Sequence, residues 1–129
     1  MPMITALYAG LLGVLAFGVA LPAGKLRGQL GVSVGDGGNP ALLCAMRRHA
    51  NFAEWVPLAL LLIALLELDG APKTAIHVLG AILVVSRVSH AIGLRPDTMK
   101  SFARLIGAAG TVLVTLVSSL WLITLFLRH

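Results

Sequence analysis

Arg47-Arg48-His49-Ala50-Asn51-Phe52-Ala53-Glu54-Trp55-Val56-Pro57 runs without a break into the apolar stretch Leu58 to Leu66. In a soluble protein such a start opens an ordinary amphipathic helix. Here it belongs to a chain of 129 residues that is 58% hydrophobic and only 12% charged, with a mean hydropathy of +0.95. Soluble domains carry about 25% charged residues, so this chain is too apolar for a water-facing surface and reads as membrane-embedded. Ionisable groups in a membrane helix are costly and mark sites that face a protein interior with a partner. At 3.6 residues per turn, Arg47, Asn51 and Glu54 stand at i, i+4 and i+7 and share one face. That face offers a cation, an amide and a carboxylate, a set suited to a small polar ligand with charges of both signs.

The length leaves room for four spans of ~20 residues and for no soluble domain besides. The expected fold is an all-α integral membrane protein, a four-helix up-and-down bundle forming one domain over 1–129. Its helices are expected at 3–22, 40–68, 73–94 and 98–127. Met3 to Pro22 holds no charge, and it lacks the basic n-region and short core of a signal peptide. Gly31 to Pro40 is dense in turn formers, with Asn39 as N-cap and Pro40 in the first turn of helix two. Pro57 frees the carbonyl of Ala53 and predicts a kink.

The net charge of +5 does not indicate nucleic acid, because the basic residues sit at the ends of apolar runs, where they set topology. Lys25, Arg27, Arg47 and Arg48 cluster around loop one, and Arg95 and Lys100 in loop three, with Arg87 and Arg104 flanking it. Loop two sets only Lys73 against Glu67 and Asp69. The positive-inside rule then places loops one and three in the cytoplasm and both termini on the other side.

Orientation and spacing converge on one region. Arg47, Asn51 and Glu54 on helix two, Arg87 and His90 at i and i+3 on helix three, and Arg104 at the start of helix four reach the same depth. They can surround one cavity in the cytoplasmic half of the membrane. Cations outnumber the single acid there, so an anion is the preferred ligand, and guanidinium groups grip carboxylates bidentately. Plainer readings stand beside this one. Arg48 and Lys100 read as topology charges that snorkel to headgroups. Glu54 with Arg47 or Arg87 reads equally as a structural ion pair. His77, alone in mid-span, reads as a packed histidine. No His, Cys, Asp or Glu group has metal-ligand spacing. The single cysteine, Cys44, has no evident activating partner.

The run Arg47-x-x-x-Asn51-x-x-Glu54-x-x-Pro57 resembles the helix-two motif of the membrane-associated proteins in eicosanoid and glutathione metabolism, the MAPEG family. Gly35 to Pro40 and Asn51 to Glu54 look like its bacterial branch, and Arg87-x-x-His90 is similar to the helix-three motif of the prostaglandin E synthase group. The resemblance covers essentially the whole chain. It implies a homotrimer in a bacterial inner membrane, with glutathione as co-substrate bound between subunits and a lipophilic second substrate arriving from the bilayer. Carried over by position, Arg47, Asn51, Glu54, Arg87 and His90 bind glutathione, and Arg104 stabilises its thiolate. Several positions depart from the family pattern. Trp55 and Leu94 stand where active relatives carry tyrosines, Leu105 stands where the prostaglandin group has serine, and the only tyrosine is Tyr8. The expected function is a glutathione-dependent transferase or peroxidase. The alternative is a non-catalytic lipid- or thiol-binding protein of the same fold.

Overall fold

A computed structural model describes residues 1–97 and 101–128. Thr98, Met99 and Lys100, where helix four is expected to begin, lie outside the described residues, as does His129. Four helices follow one another: α1 (Met3–Leu30), α2 (Pro40–Leu68), α3 (Lys73–Gly93) and α4 (Phe102–Phe126). The shortest has 21 residues, or roughly 31 Å at ~1.5 Å per residue, which matches a hydrocarbon core of ~30 Å. All four are long and apolar enough to cross a membrane. Large apolar side chains such as Val14, Phe17, Val85, Leu113 and Leu120 stand exposed along them, as lipid-facing or protein-facing surfaces require.

The helices run up and down, with α2 and α3 in the middle. Both α1 and α4 pack on that pair from separate sides and make no contact with each other among the described residues. Leu12, Val19, Phe52, Val56, Ala59, Ile63, Leu66, Ile76, Leu83 and Val114 form the shared core.

The end of α1 departs from the expected span. The helix continues through Pro22 to Leu30. Its stop is written instead at Gly31, which takes the left-handed conformation at φ 67°, while the N–H of Val32 bonds back to the carbonyl of Arg27 at 3.1 Å. This is the six-to-one closure that favours glycine. Lys25 and Arg27 therefore belong to the last turns of α1 and not to a loop. Arg27 donates through Nη1 to the carbonyl of Ser33 at 3.0 Å and through Nη2 to Sδ of Met46 at 3.3 Å, tying loop one to α2.

Asn39 caps α2 as its position predicts, accepting from the N–H groups of Ala41 (3.0 Å) and Leu42 (3.1 Å). α2 continues through Pro57. At its far end Glu67 has a task the sequence does not advertise. Its carboxylate accepts from the N–H of Ile4 (2.9 Å), the N–H of Thr5 (2.7 Å) and the hydroxyl of Thr5 (2.6 Å). It satisfies the free donors at the start of α1, where a negative charge also suits the helix dipole.

Candidate functional site

The site begins with a close approach of two helices. A Cβ added to Gly107 of α4 would stand 2.5 Å from the backbone nitrogen of His90 and 2.5 Å from the carbonyl oxygen of Ser86, both on α3. A Cβ on Gly93 would collide with the backbone of Arg104. Only glycine permits this contact, as small residues do between membrane helices. Its consequence is chemical. The carbonyl of Gly107 comes within reach of α3, and Arg87 Nη2 donates to it at 3.1 Å. Thr111 Oγ1 donates to the same carbonyl at 2.9 Å.

Arg87 turns its other terminal nitrogen to α2, where Nη1 donates to Oδ1 of Asn51 at 2.9 Å. The residue is 2% exposed, and its Nε has no partner. Among the described residues no carboxylate pairs with it. A guanidinium is charged under all ordinary conditions, so this is a buried cation held by neutral groups alone.

One turn further along α3, His90 is buried beside it. Asn51, Trp55, Arg87, His90, Arg104 and Thr111 line one cavity of about 220 Å³, with Ala108 and Val112 of α4 completing the lining. Arg104 is exposed at the first turn of α4, where Ser101 Oγ accepts the Arg104 N–H at 3.5 Å. The lining holds two arginines and an imidazole with no carboxylate, against an apolar wall from α2 and α4. Such a surface favours an anion that has an apolar part or an apolar neighbour. Among the described residues no three His, Cys, Asp or Glu side chains gather where a metal could bind.

The six sequence-derived candidates therefore divide. Asn51, Arg87, His90 and Arg104 meet around the cavity. Arg47 and Glu54 do not. They pair with each other at 3.9 Å on the outer face of α2, with side chains 60% and 54% exposed. Glu54 makes no ion pair with Arg87. The expected snorkelling of Arg48 is also replaced by an inward contact: Nη2 of Arg48 and Sγ of Cys44 both donate to the carbonyl of Leu94, which closes the end of α3. His77 is not packed as expected: it is exposed, and its Nδ1 shares a hydrogen bond with the hydroxyl of Tyr8 at 3.1 Å. Trp55, Gly107 and Thr111 are site residues that the charge pattern misses. Two of them carried a signal, since Thr111 stands at i+7 from Arg104 and Trp55 at i+4 from Asn51.

A model of the family described as MAPEG matches residues 5–124. The chain is 36% identical over 91 residues to the inner membrane protein YecN of Escherichia coli K12, a stretch that covers 70% of each chain. YecN of Escherichia coli O6:H1 matches to the same extent. No solved structure matches the chain.

Proposed function

The chain belongs to the MAPEG family, and from that premise we propose that its cavity binds glutathione as co-substrate for transfer to, or reduction of, a lipophilic electrophile. It is a protein of four membrane-spanning helices in the inner membrane. The observation that carries the proposal is Arg87, a buried guanidinium bonded only to neutral groups, in a cavity whose other ionisable members are His90 and Arg104. Burying a charge without a counter-ion is unfavourable until an anion arrives. Glutathione brings two carboxylates and a thiol that a nearby cation can bring to its charged form.

In this reading Asn51, Arg87 and His90 hold the peptide's polar groups. Arg104, at the open side of the cavity, faces the sulfur and favours its charged form, as a nearby cation does for any thiol. For transfer, the thiol proton goes to water, the thiolate attacks an electrophilic carbon, a carbon–sulfur bond forms, and the displaced group leaves with the electron pair. For reduction, the thiolate attacks a peroxide oxygen, and the O–O bond breaks with the alcohol oxygen taking the electron pair and a proton. A second glutathione then converts the sulfenic acid to the disulfide and water. Arg104 stabilises the negative charge on the sulfur up to the attack, and the apolar wall of Trp55, Ala108 and Val112 receives the second substrate.

Two observations support a second copy of the chain at the site. A cavity of about 220 Å³ is below the ~300–1,000 Å³ of small-molecule sites. The Arg47–Glu54 pair stands uncovered on a membrane-spanning face next to Asn51, where lipid contact is costly. We infer a homotrimer in which that face meets a neighbouring subunit, so that Arg47 and Glu54 complete the glutathione site across the boundary.

One observation favours the alternative of binding without catalysis. The only tyrosine, Tyr8, is engaged with His77 between α1 and α3 and cannot assist the sulfur, and Trp55 offers no hydroxyl. A glutathione titration of the purified protein, read by thermal stabilisation and paired with a conjugation assay on a generic electrophile, separates the two. Saturable stabilisation with turnover is the expected result. Stabilisation without turnover selects the binding protein, and neither signal removes the glutathione reading.

A further inference from the structure

A second groove, also of about 220 Å³, lies between the first turns of α2 and the turn that follows α3. Leu43, Leu94 and Pro96 give it an apolar lining, Arg47 and Arg95 a cationic one, and Cys44 stands among them. Arg95 is exposed and has no acidic partner among the described residues. Arg47 has only its 3.9 Å contact with Glu54. The walls are fixed, because Arg48 and Cys44 both bond the carbonyl of Leu94 and so lock the end of α3 to α2. The helix dipole is not the attraction here, since Asn39 already occupies the first N–H groups of α2.

The groove's place in the fold narrows the ligand. α2 begins at Pro40 and α3 ends at Gly93, so the groove lies at the ends of two spans, at the level of the lipid headgroups. A ligand that satisfies both linings is an amphiphile with an anionic head. Guanidinium groups donate paired hydrogen bonds to phosphate oxygens, and basic pockets between membrane helices suit anionic headgroups. We propose that the groove binds the phosphodiester headgroup of an anionic membrane lipid, with Arg95 on the phosphate and the upper acyl chain against Leu43 and Leu94. Arg47 borders both this groove and the face assigned above to the subunit boundary, whereas Cys44, Leu94 and Arg95 belong to the groove alone and carry the proposal and its test.

Cys44 is the only cysteine of the chain and lines the groove, so its accessibility reports occupancy. The full chain in nanodiscs of phosphatidylcholine alone, or of phosphatidylcholine containing phosphatidylglycerol, is treated with an uncharged water-soluble maleimide. Phosphatidylglycerol is expected to slow the labelling of Cys44. Arg95→Gln should remove about fivefold of that protection, the loss expected for one arginine at an anionic surface. Lys25→Gln, at an exposed cation of α1 outside the groove, should keep it. Equal labelling in the two lipids overturns the proposal. So does equally slow labelling in phosphatidylcholine alone, which would mean that a second copy covers the groove. Equal losses in Lys25→Gln and Arg95→Gln would reduce the effect to diffuse surface charge. Equal protection by inorganic phosphate in phosphatidylcholine would assign the groove to a soluble anion.

Discussion

Arg87 on α3 donates to Asn51 on α2 at 2.9 Å, and this contact joins a buried cation to a side chain that cannot neutralise it. Asn51 is held by the cation, and the cation's charge stays available to a ligand. The two helices are fastened at this depth by a bond whose electrostatics remain unfinished.

That relationship predicts a trade between stability and function. Arg87→Met removes an uncompensated buried charge and keeps much of the volume. Replacing even a buried ion pair by apolar side chains is often neutral or stabilising by ~1–4 kcal/mol, and Arg87 lacks the counter-ion that offsets part of such a charge's desolvation. The thermal midpoint of the variant without ligand should be no lower than that of the natural chain, and stabilisation by glutathione should vanish. A lower midpoint with glutathione binding retained would contradict the account.

Gly107→Ala tests the helix contact from the other side. The new Cβ meets backbone atoms of α3, which cannot rotate away as a flexible side chain can. Overpacking of this kind costs about 1–3 kcal/mol. The same displacement takes the Gly107 carbonyl from Arg87. Thermal unfolding should come earlier and glutathione should bind more weakly, both measured on the same preparation. A variant with unchanged stability would mean that α3 and α4 do not approach as closely as described.

The basic residues Lys25, Arg27, Arg47, Arg48, Arg95 and Arg104 gather at the end of the bundle that holds loops one and three, so this end should face the cytoplasm. A C-terminal reporter that is active only in the cytoplasm should stay silent. A strong signal would reverse the orientation and with it the side to which the cavity of Asn51, Arg87, His90 and Arg104 lies closer.

Much of this architecture is legible in the sequence because a membrane imposes strong rules. Long uncharged runs separated by Gly, Pro and Asp give the four helices, and helical spacing brings Asn51, Arg87, His90 and Arg104 to one depth. What is not legible depends on partners distant in the chain. Arg48 reads as a headgroup anchor until its acceptor, the carbonyl of Leu94, is known. Glu67 reads as a helix end until α1 places Ile4 and Thr5 against it. Periodicity puts Arg47, Asn51 and Glu54 on one face, yet it cannot say that α3 reaches only Asn51. Pro22 suggests a stop, but a glycine able to take a positive φ was required, and it lies at Gly31. The stripe Gly107, Thr111, Val114 and Ser118, all buried, hides in a run that hydropathy alone reads as uniform.

If the cations around the cavity serve a glutathione thiolate, Arg104 is the residue on which the charged sulfur depends. Glutathione titrated into the protein near neutral pH should give the ultraviolet difference absorbance of a thiolate. Arg104→Ala should keep binding, because Asn51, Arg87 and His90 remain, and lose most of the thiolate signal. If the natural chain binds glutathione without thiolate absorbance, or if Arg104→Ala keeps the full signal, the role given to Arg104 is contradicted.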